Sequence, residues 1–281
     1  MRTPATKASL NMRWPILFLA MLMCTSASIA DEPDRHSLTE GDSLMAQPAV
    51  KVLFDSKCHQ AIRHQGTEPQ FYEGAPPYEE WRGRRLSGLN DALATRGYAV
   101  AIDGLNDTTL QGVGVLVIAG RNEALPFSEI ELAAIVAFHN RGGGLLLMGN
   151  HKHFVAPQDQ VARALDLPVT LNDDWVPEAE QRLVLTSGHP ISRDCAQGLR
   201  IRTSCTLNVR EDASATVLVR NEDPEIGVFA VAIERAAAAQ GRVVVMTSAG
   251  HIASLDDSHT DLYGSAANAT WTLNVIEWLA R

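Results

Sequence analysis

Four short, continuous apolar runs constrain this chain most: Val50–Phe54, Val113–Ile118, Leu145–Met148 and Val243–Met246. A strand with one wet face alternates apolar and polar residues. These runs do not, which is the pattern of parallel strands covered on both faces. Helical patterns separate them. Leu86, Leu89 and Leu93 mark one face of a helix ending near Arg96-Gly97, where glycine suits the position just past a helix end. Ser128 and Glu131 predict a capping box, with Phe127 stapled onto Leu132 and with Ile130, Ala134 and Phe138 on the inner face. Gly142-Gly143-Gly144 ends that helix, and a last one, near Asn268 to Ala280, carries Trp271, Val275, Trp278 and Leu279 at helical spacing. Alternating strands and helices predict an α/β fold with a doubly wound, mostly parallel sheet. Between about 155 and 235 the pattern changes to a short helix (Pro157–Leu165) and then to β-rich runs near Leu199–Val209, Thr216–Val219 and Val228–Glu234. That stretch reads as a β-rich insertion on the same sheet.

Ahead of the first run the chain carries an export pattern. Arg2, Lys7 and Arg13 make a basic start, and Trp14 to Met23 is an apolar stretch of about ten residues, too short to span a bilayer as a mature helix. Ser28-Ile29-Ala30 then puts small residues where a signal peptidase cuts. Residues 1–30 therefore read as a signal peptide, 31–49 as a flexible leader and 50–281 as the α/β domain, in a secreted or periplasmic protein. Cys24 does not make a lipoprotein signal, because Met21-Leu22-Met23 is bulky where a small residue is needed. No other apolar run reaches the length of a span, so no membrane insertion is expected after cleavage.

Charge narrows the partners. Cleavage would remove three of the 24 basic residues and none of the 33 acidic ones, leaving 21 against 33 and a net charge of −12. Such a surface repels phosphate backbones, so no nucleic acid partner is expected. An oxidising compartment would allow a disulfide, and the close pair Cys195/Cys205 is a candidate that spacing alone leaves open, with Cys58 over.

Parallel strands deliver the loops that follow them to one edge, where ligands of such sheets bind. The polar residues gather there: Asp55 to His59 after the first run, Gly120-Arg121-Asn122 after the second, Gly149-Asn150-His151-Lys152-His153 after the third, and Ser248 to His251 with Asp256, Asp257 and His259 after the fourth. Asp55, His59, Arg121, Asn150, His151 and His251 are the candidate ligand-binding residues. Candidate metal ligands are His151, His153, His251 and Asp256, neutral imidazoles with a carboxylate being suited to zinc or a related divalent metal.

The order of elements, a strand ending in Ala119-Gly120-Arg121, and a further strand ending in glycine and a sharp turn resemble the class I glutamine amidotransferase-like superfamily, on a flavodoxin-like sheet. The resemblance is closer to a non-catalytic branch found in gliding and ABC-transporter auxiliary proteins and in an intraflagellar transport subunit. It rests on Phe54-Asp55 with His59, on Ser187-Gly188-His189-Pro190-Ile191, and on Gly241-Arg242-Val243-Val244-Val245 followed by Asn268 and Trp278. The enzymes of that superfamily carry G-x-C-x-G at a strained elbow, where a thiolate is exposed beside oxyanion-binding amides. This chain has Gly149-Asn150-His151-Lys152-His153 there, so His151 stands in the nucleophile's place, and an imidazole forms no thioester. Cys58 follows a different strand. Amidotransferase chemistry is therefore not expected.

Three readings remain open on sequence. The loop histidines are satisfied structural groups; or they line a crevice that holds a small-molecule ligand, such as a sugar, in an accessory protein with possible protein partners in the envelope; or they belong to a metal-assisted or acid–base hydrolase or isomerase. No HExxH or paired CxxC spacing points to a metal. Pro190 restricts His189 to extended geometry, so Ser187 to Ile191 reads as a turn.

Overall fold

The computed structural model describes residues 49–58, 63–65, 68–70, 86–195, 198–201, 203–235, 239–252 and 266–281. The expected signal peptide (residues 1–30), nearly all of the expected leader, His59, Asp256, Asp257 and His259 lie outside these. In chain order the elements are β1 (Lys51–Asp55), β2 (Arg63–Gln65), β3 (Glu68–Gln70), α1 (Ser87–Thr95), β4 (Ala99–Asp103), β5 (Val113–Ala119), α2 (Glu129–Asn140), β6 (Gly144–Met148), α3 (Ala156–Ala164), β7 (Val169–Leu171), β8 (Val176–Pro177), β9 (Leu183–Leu185), β10 (Thr203–Ser204), β11 (Leu207–Val209), β12 (Ala215–Asn221), β13 (Val228–Ile233), β14 (Val243–Met246) and α4 (Ala266–Leu279).

The fold is a mixed α/β sheet with a parallel core and an antiparallel extension. Its core runs β4-β1-β5-β6-β14, all parallel. Numbered within that core the order is 2-1-3-4-5, the flavodoxin-like arrangement, with the order reversing between β1 and β5. Crossovers of one hand that run in opposite directions from that point put helices on both faces. Accordingly α1 packs with α4, and α2 with α3. Every residue of β6 and β14 is buried, as continuous apolar runs require. A methyl group at Gly144 would overlap the Leu279 carbonyl, so only glycine lets α4 close over the start of β6.

The insertion extends this sheet. β13 runs antiparallel to β14, and β12 and β9 continue beyond it. The first residue of β13, Val228, also pairs with Leu207 of β11, and β11 pairs with β7. Because β13 is antiparallel, its start lies past the end of β14. So β11 and β7 sit at the carboxyl edge of the parallel core.

One expectation needs correction, and two further points follow from the structure. Ile130 does not face inward: it is 74% exposed, and the buried side of α2 is Glu131, Ala134, Ile135, Phe138 and His139. Glu131 takes the inward place because a buried cation awaits it, as described below. The edge strand β4 is not among the four runs read from the sequence, and only Ile102 among its residues is buried. Cys58, Cys195 and Cys205 are buried free thiols, so the pair left open by spacing is not bridged.

Candidate functional site

At the carboxyl ends of β1 and β5, the point where strand order reverses, sits a closed ion cluster. Asp55 and Arg121 are fully buried, with Arg121 Nη1 3.6 Å from Asp55 Oδ2 and Arg121 Nη2 2.8 Å from Glu131 Oε1. Lys57 Nζ adds a contact of 3.1 Å to the same Glu131 oxygen, and the guanidinium carbon lies 4.0 Å from the Phe127 ring centre. The other Glu131 oxygen accepts from the Ser128 amide and hydroxyl, 2.9 Å each, which completes the capping box. Burial pushes Glu131 upward, but the Ser128 amide, Arg121 and Lys57 outweigh it and hold the acid at about 2. Asp55 is the reverse case: burial raises it above the ordinary carboxylate value, against the pull of Arg121. Cys58 Sγ donates to Asp55 Oδ2 at 3.2 Å, and burial followed by the Asp55 charge raises that thiol well above its usual range. It is no nucleophile at neutral pH.

The elbow after β6 is a different environment. Gly149 donates to the Met246 carbonyl and accepts from the Ala249 amide, tying the ends of β6 and β14 together. A methyl at Gly149 would strike Leu171, and one at Gly120 would lie 2.9 Å from the Ala249 side chain, so both glycines serve close packing. His151 stands in extended geometry (φ −69°), whereas the left-handed residue of the turn is Lys152 (φ 55°). The strained position thus carries an amine. His151 Nδ1 lies 2.7 Å from Asn150 Oδ1, its ring centre 6.3 Å from that of Trp175, and burial and then Lys152 lower its pKa. The Lys152 amide donates to Asp173 Oδ1. His153 Nδ1 meets Glu123 Oε1 at 2.5 Å, both side chains being more than half exposed, and the Glu123 amide donates to the His153 carbonyl.

His251 is elsewhere. It is fully buried, edge-on to Trp271 with ring centres 5.1 Å apart, and neither nitrogen reaches hydrogen-bond geometry. Burial takes it down to about 3, with backbone groups of Arg200 and Asn268 offsetting only part. The single crevice expected from topology is therefore divided. The loop backbones do converge on one edge, but Asp55 and Arg121 close on each other, His251 turns into the core, and of the described candidates only Asn150, His151 and His153 reach the surface. Among the described residues no group of three or more His, Cys, Asp or Glu side chains is placed to hold a metal. Of the four metal candidates, His151 and His153 are engaged with Asn150 and Glu123, His251 is buried, and Asp256 lies outside the described residues.

Sequence reasoning missed Glu123, Asp173 and Trp175. The available signal was a tryptophan in the polar run Asn172-Asp173-Asp174-Trp175, where no helical or strand period calls for an apolar side chain. A cleft of about 480 Å³ lies at the opposite, amino edge, between Gly188-His189-Pro190 and the end of α4. Its Glu277 is already paired with Arg193 and Arg281, and His189 Nδ1 accepts from the Ile191 amide.

No family model and no curated protein matches the sequence. Solved structures do match. The "mmIFT52 N-terminal domain" superposes with a TM-score of 0.59 at 17% identity, covering 82% of this chain and 97% of its own. A cytoplasmic protein, STM3548 from Salmonella typhimurium, gives 0.57 at 18% identity, covering 83% and 100%. At 17–18% identity that likeness speaks for the fold alone: this chain shares the α/β fold of these two structures.

Proposed function

We propose that this chain is an exported protein that binds a small polar ligand at the carboxyl edge of its sheet, on the surface formed by Asn150, His151, Lys152 and the Asp173 loop, and that it transfers no amide nitrogen. The elbow carries the reading. Where the resemblance calls for a thiolate, the strained residue is Lys152 beside a neutral His151, and the thiol of Cys58, after a different strand, is buried with a raised pKa. The groups at the surface are hydrogen-bond donors and acceptors held on rigid strand ends, which suits orientation of a polar molecule. The signal-peptide pattern of residues 1–30 supports export.

The test is calorimetric titration of the mature protein with a panel of small polar metabolites, repeated with His151→Ala. Binding that disappears in the variant while its melting temperature holds supports the reading; binding indifferent to residue 151 overturns it. N-terminal sequencing of exported material should begin at or near Asp31, and an intact Met1 would refute export. One observation favours a second reading, an acid–base enzyme. Glu123 grips one His153 nitrogen at 2.5 Å, which orients the other to take or give a proton.

A further inference from the structure

We infer that Trp175 is the stacking platform of a neutral carbohydrate, with His151, Lys152 and Asp173 forming the hydroxyl-binding rim; this rests on the ligand-binding reading above and names its ligand class. Trp175 is 59% exposed, and it is the sole aromatic among the exposed large apolar side chains of the described residues. An indole left in water forgoes the burial that usually stabilises so large an apolar side chain, and nothing in the packing of the fold requires it there.

Nor is the exposure that of a loose loop. The preceding Asp174 is locked by the Thr206 amide at 2.7 Å and the Thr206 hydroxyl at 2.6 Å. The following Val176 is buried and pairs with Ser204 in the β8–β10 ladder. The indole is therefore presented by two fixed neighbours, so a ligand stacking on it meets a surface whose order is already set.

Three features select the ligand. A pyranose offers a face of C–H groups to the negative face of an aromatic ring while its hydroxyls radiate at the rim. Here the His151 ring stands 6.3 Å away, tilted by 38°, making a shallow corner in which one ring stacks and the other reaches a hydroxyl. Asp173 uses one oxygen on the Lys152 amide and has no described partner on the other, so an acceptor sits beside the cationic Lys152 donor. Asp173, Asp174 and Glu123 make the surroundings repel anions, which points to a neutral sugar over an acidic one. A protein partner fits less well, because the ring beside Trp175 is His151, its preceding neighbours Asp173 and Asp174 are acidic, and the other exposed large apolar side chains of the described residues are only Val50, Ile130 and Val184.

The experiment titrates the mature protein by calorimetry with neutral β-1,4-linked hexasaccharides of glucose, mannose, xylose and N-acetylglucosamine, and with an acidic oligogalacturonate. At least one neutral sugar should bind. Trp175→Ala should weaken it by about tenfold or more, and Trp175→Phe by only a few fold. Melting temperatures of both variants should stay within about 2 °C of the parent, since the side chain packs on little. Neutral sugars that fail to bind, or bind equally to Trp175→Ala, overturn the inference, as does preference for the acidic sugar. If those sugars fail while another polar metabolite binds and is lost in His151→Ala, the ligand-binding reading stands without the platform. If Trp175→Ala instead abolishes self-association or capture of a protein, the platform serves a partner and the inference falls.

Discussion

Replacing Glu131 by Gln removes one charge from the buried cluster and leaves the helix cap nearly isosteric, which makes it a quantitative probe of what that cluster contributes. In the parent, Glu131 holds Arg121 and Lys57 on one oxygen and the Ser128 amide and hydroxyl on the other. Its acid is held at about 2, against 4.5 for an unconstrained glutamate. At 1.36 kcal/mol per pH unit, that difference favours the ionised form on folding by roughly 3 kcal/mol. The variant leaves Arg121 buried with only Asp55, 3.6 Å away. Urea denaturation of the mature protein at pH 7 should show a loss of about 3 kcal/mol, equivalent to a melting temperature lower by roughly 6–12 °C for a domain of this size. The pH dependence supplies a second reading. A depressed carboxylate contributes stability that is complete above its unfolded pKa of 4.5 and is lost as pH falls toward about 2, so the parent should weaken through that window and Glu131→Gln should lack that component. Ser128→Ala, which removes only the cap, should cost about 1 kcal/mol. A Glu131→Gln protein within about 0.5 kcal/mol of the parent at pH 7 would refute the reasoning, because the cluster would then be solvated and worth little.

His251→Phe should keep the edge contact to Trp271 and hold stability at pH 7. The parent histidine is neutral in the fold at about 3 and titrates at 6.5 when unfolded, so its contribution is full above 6.5 and is lost as pH falls, with a slope approaching about 1.4 kcal/mol per pH unit; the variant should lose that slope, and identical urea midpoints against pH would count against it. Gly144→Ala should cost about 2–3 kcal/mol in a thermal melt through overlap with Leu279, whereas Gly97→Ala, strained in φ but with open space around it, should cost only about 1–2 kcal/mol; equal losses would remove the packing argument. Lys152→Gly should relieve the left-handed backbone and raise stability by up to about 1 kcal/mol, and a loss would mean that the lysine side chain holds the turn.

The parallel core was legible because its signal is coarse. β5, β6 and β14 are apolar throughout and β1 has an apolar centre, Val52–Phe54, and burial on both faces writes itself into composition without any need to know register. β4 was not, being an edge strand whose small, half-wet residues carry little hydrophobic pattern. β7, β8, β9, β10 and β11 are two or three residues long, so no period can establish itself, and their pairing depends on where the chain returns. Site residues failed for a different reason. Position after a strand fixes which edge a loop reaches, as it did for Asp55, Arg121, His151 and His251, but the direction of each side chain depends on what covers it. Trp271 of α4 covers His251, and Glu131 of α2 reaches in to Arg121; neither partner is near its target in sequence. Ile130 shows the same limit within one helix. Its spacing to Ala134 and Phe138 is apolar and regular, yet the helix turned to deliver the charged neighbour instead.

That rotation of α2 bears on where this fold keeps its surface chemistry. In a 2-1-3-4-5 sheet the crevice opens where β1 and its neighbour β5 part. Here that place holds Asp55 and Arg121, both without exposure, with Glu131 and the Phe127 ring packed over them. Burying an ion pair costs several kcal/mol of hydration per charge, so such a cluster persists only when most of its polar atoms are satisfied. Glu131 meets that demand with four partners, and Asp55 with the Lys57 amide, the Cys58 thiol and Arg121. Arg121 spends Nη2 on Glu131, and its Nε and Nη1, which have no hydrogen-bond partner, are sealed from solvent with it, so the cluster presents nothing to a ligand at the surface. The neighbouring strand end is built the other way. Gly149 after β6 lets the chain pass close to β7, Gly120 after β5 lets it pass close to Ala249, the turn lifts Lys152 into a left-handed conformation, and the insertion brings Asp173 and Trp175 alongside. One strand further along the sheet, the exposed polar groups and the exposed indole meet on rigid supports. Among the described residues, the solvent-exposed polar groups of this edge therefore lie at the β6 elbow and not at the point of strand reversal.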